Sequence, residues 1–451
     1  MGGKVTLIMT STNLKFAPRF KVTPAAAQGM RTQFLLVALL IFGVCLFHLA
    51  RNLSVYYFGL WAASAGMALV IVIRTPYHHK MRDIALAILI SVYVYVILTS
   101  VYYSQEYGSP IPGISRLLFI APTLIGIIYT LNARSFPVFY NIWLAFGVLA
   151  ALSLPAQYIL GPISWFAESS ERAGTDRFAS LAGSLTMYGN LVGALIFIAL
   201  TRKGNFLIGV AITVIILVGA VASFQKAALV SAVLGLLSGA VAARMRLLPV
   251  ASLAASLLLA FGLFFMLADY YTQGIIIGYV QNILGTGDAT RASDVTLVDS
   301  INSRLTFLPE IAVRYFGFGS LTTGVGVFGG AGGLGYLELP NPHNLIVETL
   351  LVFGGLVGGA IIIGLIFLSW RAGLIVAGLR KAPHNDLMAA GVFLNLLLPT
   401  IFAGALFYQP VSGSMFICSV LYLAFSMTNG ATEGAGARRP NPARPRLRPV
   451  R

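Results

Sequence analysis

Apolar runs of 18 or more residues recur along the chain from Leu35 to Met427, separated by short polar stretches and one long one. Each run is long enough to cross the roughly 30 Å of hydrocarbon in a bilayer. In lipid such a run must be helical, because every backbone donor and acceptor needs an internal partner. The pattern predicts twelve spans, over residues 32–50, 52–73, 84–103, 115–131, 136–155, 181–200, 206–222, 226–243, 247–268, 344–368, 387–406 and 412–428. The class that follows is an all-α polytopic membrane protein. A tail covers 1–31, spans one to nine 32–268, a large partly helical outer loop 269–343, spans ten to twelve 344–428, and a basic disordered tail 429–451.

Composition agrees with the pattern: of 451 residues, 58% are hydrophobic and only 10% charged. The net charge of +16 suggests nucleic acid at first sight. Its distribution points elsewhere. With both termini cytoplasmic, 22 of the 30 basic residues fall on the inner side and most acids on the outer side, which is the positive-inside pattern. The surplus is therefore topological and faces anionic headgroups, and no nucleic-acid partner is expected. Cys45 and Cys418 lie within predicted spans and are expected to be free buried thiols.

Most outer loops are short, and two are not. One runs from Ala156 to Ala179 and carries Glu168, Glu171, Arg172, Asp176 and Arg177. The other, 269–343, is some 75 residues long, a length that marks a functional or partly folded loop. Helical patterning over Val298–Tyr315, with Ser300 or Asn302 as caps, predicts a subdomain there. Residues 316–335 hold nine glycines, including the string Gly324-Val325-Gly326-Val327-Phe328-Gly329. That is formally a G-x-G-x-x-G, but the βαβ context a dinucleotide needs is absent. The expectation is a tightly turning, flexible lid, or a loop whose backbone approaches a headgroup closely.

The loop ends in Asn341-Pro342-His343-Asn344. Reading Asn341 as the N-cap and Pro342 as the first helical residue puts His343 in the first turn of span ten. A helix N-terminus disfavours the imidazolium, so His343 suits a general base. Glu348 lies about 140° round the helix from His343 and about 40° from Asn344, so it reads as a buried acid with a cationic partner, structural or catalytic. Arg177 before span six, Lys226 in Ser223-Phe224-Gln225-Lys226, and Arg304 in Asn302-Ser303-Arg304 are the leading outer cations. Such groups bind phosphate oxygens, or else sit as snorkelling interfacial charges. Arg314 is a weaker candidate, and Gln225, Asn344 and Tyr336 are second-rank contacts. No zinc or calcium ligand spacing and no nucleophile elbow occurs.

A dozen spans, a large loop before the tenth, an Arg early in a helix of that loop, and Pro342-His343-Asn344-Leu345-Ile346-Val347-Glu348 opening the next span together resemble the O-antigen ligase and O-antigen polymerase superfamily. Its His-Asn-x-x-x-Glu signature is matched at His343, Asn344 and Glu348. The resemblance implies a membrane glycosyltransferase C-like fold in a bacterial inner membrane, with the active site facing the periplasm. It implies metal-independent, inverting transfer of polysaccharide from undecaprenyl diphosphate to the lipid A–core oligosaccharide, with no cofactor. The family's essential loop arginine is matched by Arg304 and its essential histidine by His343. Arg177 resembles the Arg found before the sixth span. Lys226 stands where relatives often carry Arg, a departure that touches its role. On this reading His343 takes the acceptor proton while Arg177, Lys226 and Arg304 hold the diphosphate.

Three rivals stay open on the sequence, one of them a related protein-glycosylating transferase. A polymerase would use the same chemistry with a second lipid-linked glycan as acceptor. A lipid-linked glycan transporter or flippase belongs to another class, and would be expected to show inverted repeats and mid-membrane charges. Neither feature is evident here.

Overall fold

The computed structural model describes residues 35–41, 43, 54–74, 80–107, 109–132, 135–163, 169–172, 175–183, 187–244, 274, 277, 324–327, 344–401 and 409–436. Helices dominate: α1 (Ser54–Arg74), α2 (Lys80–Tyr102), α3 (Ser104–Tyr107), α4 (Ile111–Thr130), α5 (Phe136–Leu160), α6 (Met187–Thr201), α7 (Phe206–Ala222), α8 (Lys226–Ala242), α9 (Leu345–Val376), α10 (His384–Ile401) and α11 (Pro410–Gly436). Among the described residues five helices are long and apolar enough to cross a membrane: α2, α4, α5, α9 and α11. The apolar stretches of α1, α6, α7 and α8 are shorter. Residues 35–41 are helical within the predicted first span, and the predicted ninth span lies outside the described residues.

The centre of the bundle is α6, every residue of which is buried. A helix apolar on all sides belongs in such a place. It is enclosed by α5, α7, α8 and α10. Its partner α8 runs parallel to it: Gly189 faces Gln225 and Ala228, Gly193 faces Ser231, and Gly235 abuts the Gly193 backbone. Small residues four apart allow this approach, as is common between membrane helices. Polar side chains join the helices, with Gly193 N–H donating to Ser231 Oγ (2.9 Å) and Asn395 Nδ2 donating to Ser238 Oγ (2.8 Å). A second seam lies between α5 and α11, where Phe136 stacks on Tyr422 (3.8 Å between ring centres) and the Tyr140 and Ser419 hydroxyls are 2.6 Å apart. The outward faces are apolar too: α2 exposes Ile88, Val94 and Leu98, and α9 exposes Leu356, Ile363, Phe367 and Trp370. Apolar faces this continuous suit lipid rather than water.

Three sequence expectations change. The tenth span is broken: Gly354 has φ 75° and ψ 176°, and divides α9 into helical segments 345–353 and 355–376. In a straight helix Thr349 and Gly358 would lie about 13.5 Å apart along the axis. Here a Cβ on Gly358 would stand 2.9 Å from the Thr349 carbonyl oxygen, so the two segments fold toward one another. The second change is in the polar stretch after α5, which forms an antiparallel hairpin of β1 (Ser169–Arg172) and β2 (Thr175–Phe178) that pairs Ser170 with Arg177. Third, residues 324–327 are not a lid. Val325 and Val327 are buried, and the segment bonds to α2 and α9.

Candidate functional site

The chain direction of the helices sorts the polar residues between two ends of the bundle. The ends of α5 and α7 and the starts of α6 and α8 lie together at one end, and the α9–α10 connection (377–383) lies at the other. Arg177, Gln225 and Lys226 belong to the first end. Asn344 and Glu348 open the first segment of α9, ahead of the break at Gly354.

Tyr158, in the last turn of α5, joins two of these pieces. Its ring meets Phe178 edge-on at 4.8 Å and Phe224 at 5.8 Å. Each phenylalanine is the chain neighbour of a candidate: Phe178 follows Arg177, and Phe224 precedes Gln225 and Lys226. The hairpin and the α7–α8 turn are thus drawn to one aromatic ring. Gln157, beside Tyr158, donates from Nε2 to the Ala179 carbonyl (3.0 Å), and Leu181 N–H donates to Ser153 Oγ (3.2 Å), which ties the strand after Arg177 back onto α5. The α7–α8 turn is tight. Phe224 has φ 48°, a left-handed conformation uncommon for an aromatic residue, and α8 starts two residues later at Lys226.

Arg177 is buried, at 8% exposure, although it sits on a short hairpin. A guanidinium so enclosed must be served by acceptors or an anion. Gln225 is also buried, and its Oε1 accepts from Gly189 N–H at 3.2 Å. Gly189 lies in the first turn of α6, where a backbone donor has no intrahelical acceptor. Gln225 therefore caps α6 from the neighbouring helix, a structural duty not legible in the sequence.

The start of α9 differs from the sequence expectation. The N-cap is Asn344, not Asn341, and its side chain accepts from Ile346 N–H (2.9 Å) and Val347 N–H (3.1 Å). The helix begins at Leu345. His343 therefore comes just before the cap and not in the first turn, because an asparagine flanked by two free N–H donors satisfies more of the helix end than Asn341 could. Glu348, in that first turn, is buried at 2% exposure, a place where a carboxylate complements the helix dipole. Arg304, Arg314, Tyr336 and His343 lie outside the described residues.

The opposite end has its own polar group. Asp386 is buried near the start of α10, and burial pushes its carboxyl up against the pull of a Ser426 hydrogen bond, Arg371 and Arg380. Burial, with Lys203 close by, pushes the His384 imidazole down. Among the described residues no three His, Cys, Asp or Glu side chains gather as a bound metal would require.

Among the described residues the fold is that of a helical protein of the membrane class, with five helices long and apolar enough to cross a bilayer and with Arg177 buried at one end. No protein-family model matches the chain, and no curated protein matches it.

Proposed function

We propose that the chain is a lipid-linked polysaccharide glycosyltransferase of the O-antigen ligase type. It takes polymer from undecaprenyl diphosphate and attaches it to a lipid A–core acceptor at the periplasmic face of the inner membrane, with both termini in the cytoplasm. The observation that carries this reading is the convergence on Tyr158 of Phe178, the neighbour of buried Arg177, and Phe224 of the turn that leads into Gln225 and Lys226. A diphosphate leaving group develops charge that cations can neutralise, and Arg177, Lys226 and Arg304 fill that role. Gln225, Asn344, Tyr336 and Arg314 are the second-rank donor contacts of this reading. His343, one residue ahead of the α9 cap, removes the proton of the attacking hydroxyl as the anomeric carbon–phosphate oxygen bond breaks in line.

The test uses purified protein with lipid-linked polymer and lipid A–core. His343→Ala is expected to lower transfer by roughly 10²–10⁴-fold while donor binding persists. Transfer at the wild-type rate would remove the base assignment. Polymer growth on the lipid carrier in place of transfer to lipid A–core would make the enzyme a polymerase, and translocation of the donor without any bond exchange would make it a flippase.

A further inference from the structure

The break in α9 creates a problem that the rest of the chain solves. A helix that stops leaves its last carbonyls without intrahelical donors, and in a bilayer water cannot serve them. Here three successive carbonyls are served from outside α9. Leu351 O accepts from Val325 N–H (2.7 Å), Val352 O from Gly326 N–H (3.2 Å), and Phe353 O from the Tyr95 hydroxyl of α2 (3.3 Å). One residue on, Val327 N–H donates to Ser100 Oγ (2.8 Å), which itself donates to Val96 O (2.6 Å). Val327 then packs with Val96, Leu117, Val352 and Phe353.

The two glycines of this segment are required by contact and by conformation. Gly324 has φ 68° and Gly326 φ 82°, values that favour glycine. A Cβ on Gly324 would lie 2.6 Å from Val352 O and 2.7 Å from the Phe353 carbonyl carbon. A Cβ on Gly326 would lie 2.6 Å from Ser100 N and 2.8 Å from Ser100 Cα. Backbone stands on both sides, so no rotamer change can relieve either clash.

We propose that residues 324–327 are a clip that fixes the bend of α9 and so positions the short helix 345–353, with Tyr95 and Ser100 as the side chains that receive it. The chain leaves the clip at Val327 and enters α9 at Asn344. Clip and cap are therefore the two anchors of 328–343, the stretch that holds Tyr336 and His343. The clip stands on its own bonds. Its effect on transfer rests on the function proposed above.

The test is amide hydrogen exchange on the full chain in lipid nanodiscs. The amides of Val325 and Gly326 are expected to exchange slowly. Gly326→Ala should speed exchange over 324–327 by about tenfold or more, as loss of a tertiary hydrogen bond does, and should carry 345–350 with it. Gly359→Ala, on α9 with open space around it, should leave both stretches unchanged. Fast exchange at 325–326 in the unaltered chain overturns the clip. Opening of 324–327 with 345–350 still protected overturns the positioning. If Gly326→Ala does not fold, Ser100→Ala and Tyr95→Phe replace it, and Ser100→Thr, which keeps the hydroxyl, should restore protection that Ser100→Ala loses. In the transfer assay clip variants should lower kcat with the donor KM nearly unchanged. Equal loss in both would leave no positioning effect. Absence of transfer in the unaltered chain sinks the proposed reaction, whereas the clip stands or falls on its exchange rates alone.

Discussion

Gly235→Ala tests the packing on which the site end of the bundle depends. A Cβ at this position would lie 2.5 Å from Gly193 O, 2.7 Å from its Cα and 3.0 Å from its carbonyl carbon. Ordinary contact begins near 3.4 Å, so about 0.9 Å must be found by parting α6 from α8. Neither side can yield a rotamer, since the obstacle is backbone. Nor can α6 retreat, because all of its residues are buried among α5, α7, α8 and α10. Overpacking of this kind costs about 1–3 kcal/mol. Parting the helices also loosens Gly189 N–H to Gln225 and Gly193 N–H to Ser231, at about 0.6 kcal/mol each for a hydrogen bond inside a membrane protein. Against this stands the gain of about 0.5–1 kcal/mol that alanine brings to a helix in place of glycine. The net expectation is destabilisation by about 1–4 kcal/mol, read from unfolding in mixed micelles at equal detergent ratio. Gly373→Ala supplies the comparison: no atom lies within 4 Å of its added Cβ, so only the helix gain applies, and the midpoint should hold or rise. Equal midpoints for the two variants would refute the reading that the α6–α8 contact is backbone on backbone.

Tyr158→Ala removes the ring shared by Phe178 and Phe224, each aromatic pair being worth about 0.5–1.5 kcal/mol. Polymer transfer should fall, whereas Tyr158→Phe should hold near wild type, and equal rates in the two variants would count against the ring as organiser. Gln225→Glu keeps an acceptor for Gly189 N–H and adds a negative charge next to Lys226. The fold should stand while donor affinity drops by an amount that shrinks with added salt, and unchanged donor affinity would take Gln225 out of the proposed diphosphate site. His384 is held below its ordinary value of 6.5 by burial and Lys203. The unfolded chain then takes up the proton first, so stability is present above pH 6.5 and is lost as pH falls from there through the folded value. Asp386, pushed up from 3.8 by burial, acts in the opposite sense starting from lower pH. The thermal midpoint of His384→Gln should therefore fall less than that of the unaltered chain between pH 7 and pH 5, and parallel curves would contradict the burial of the imidazole.

Much of the helical layout was written in local sequence. The predicted span 206–222 coincides with α7 (Phe206–Ala222), and predicted 226–243 with α8 (Lys226–Ala242), because apolar runs bounded by polar or basic residues leave a chain in lipid little choice but helix. The β1–β2 hairpin left a weaker trace, two charged flanks around Ala173-Gly174. Its strands have no apolar alternation to announce them.

Sequence alone determined that this chain is a membrane-class helical protein, that Ser223-Phe224-Gln225-Lys226 lies between two helices, and that a polar segment ends at Asn344. Tertiary structure decided which residue caps α9, that Gln225 serves α6, that Tyr158 meets both Phe178 of the hairpin and Phe224 of the α7–α8 turn, and that α9 breaks at Gly354 against residues 324–327. The physical reason is range. Apolar length and basic flanks act on neighbours in the chain, whereas a carbonyl freed by a helix break is satisfied by whichever donor folding brings to it, here from a segment 26 residues earlier in sequence (Val325 to Leu351) and from a helix more than 250 residues away (Tyr95 to Phe353).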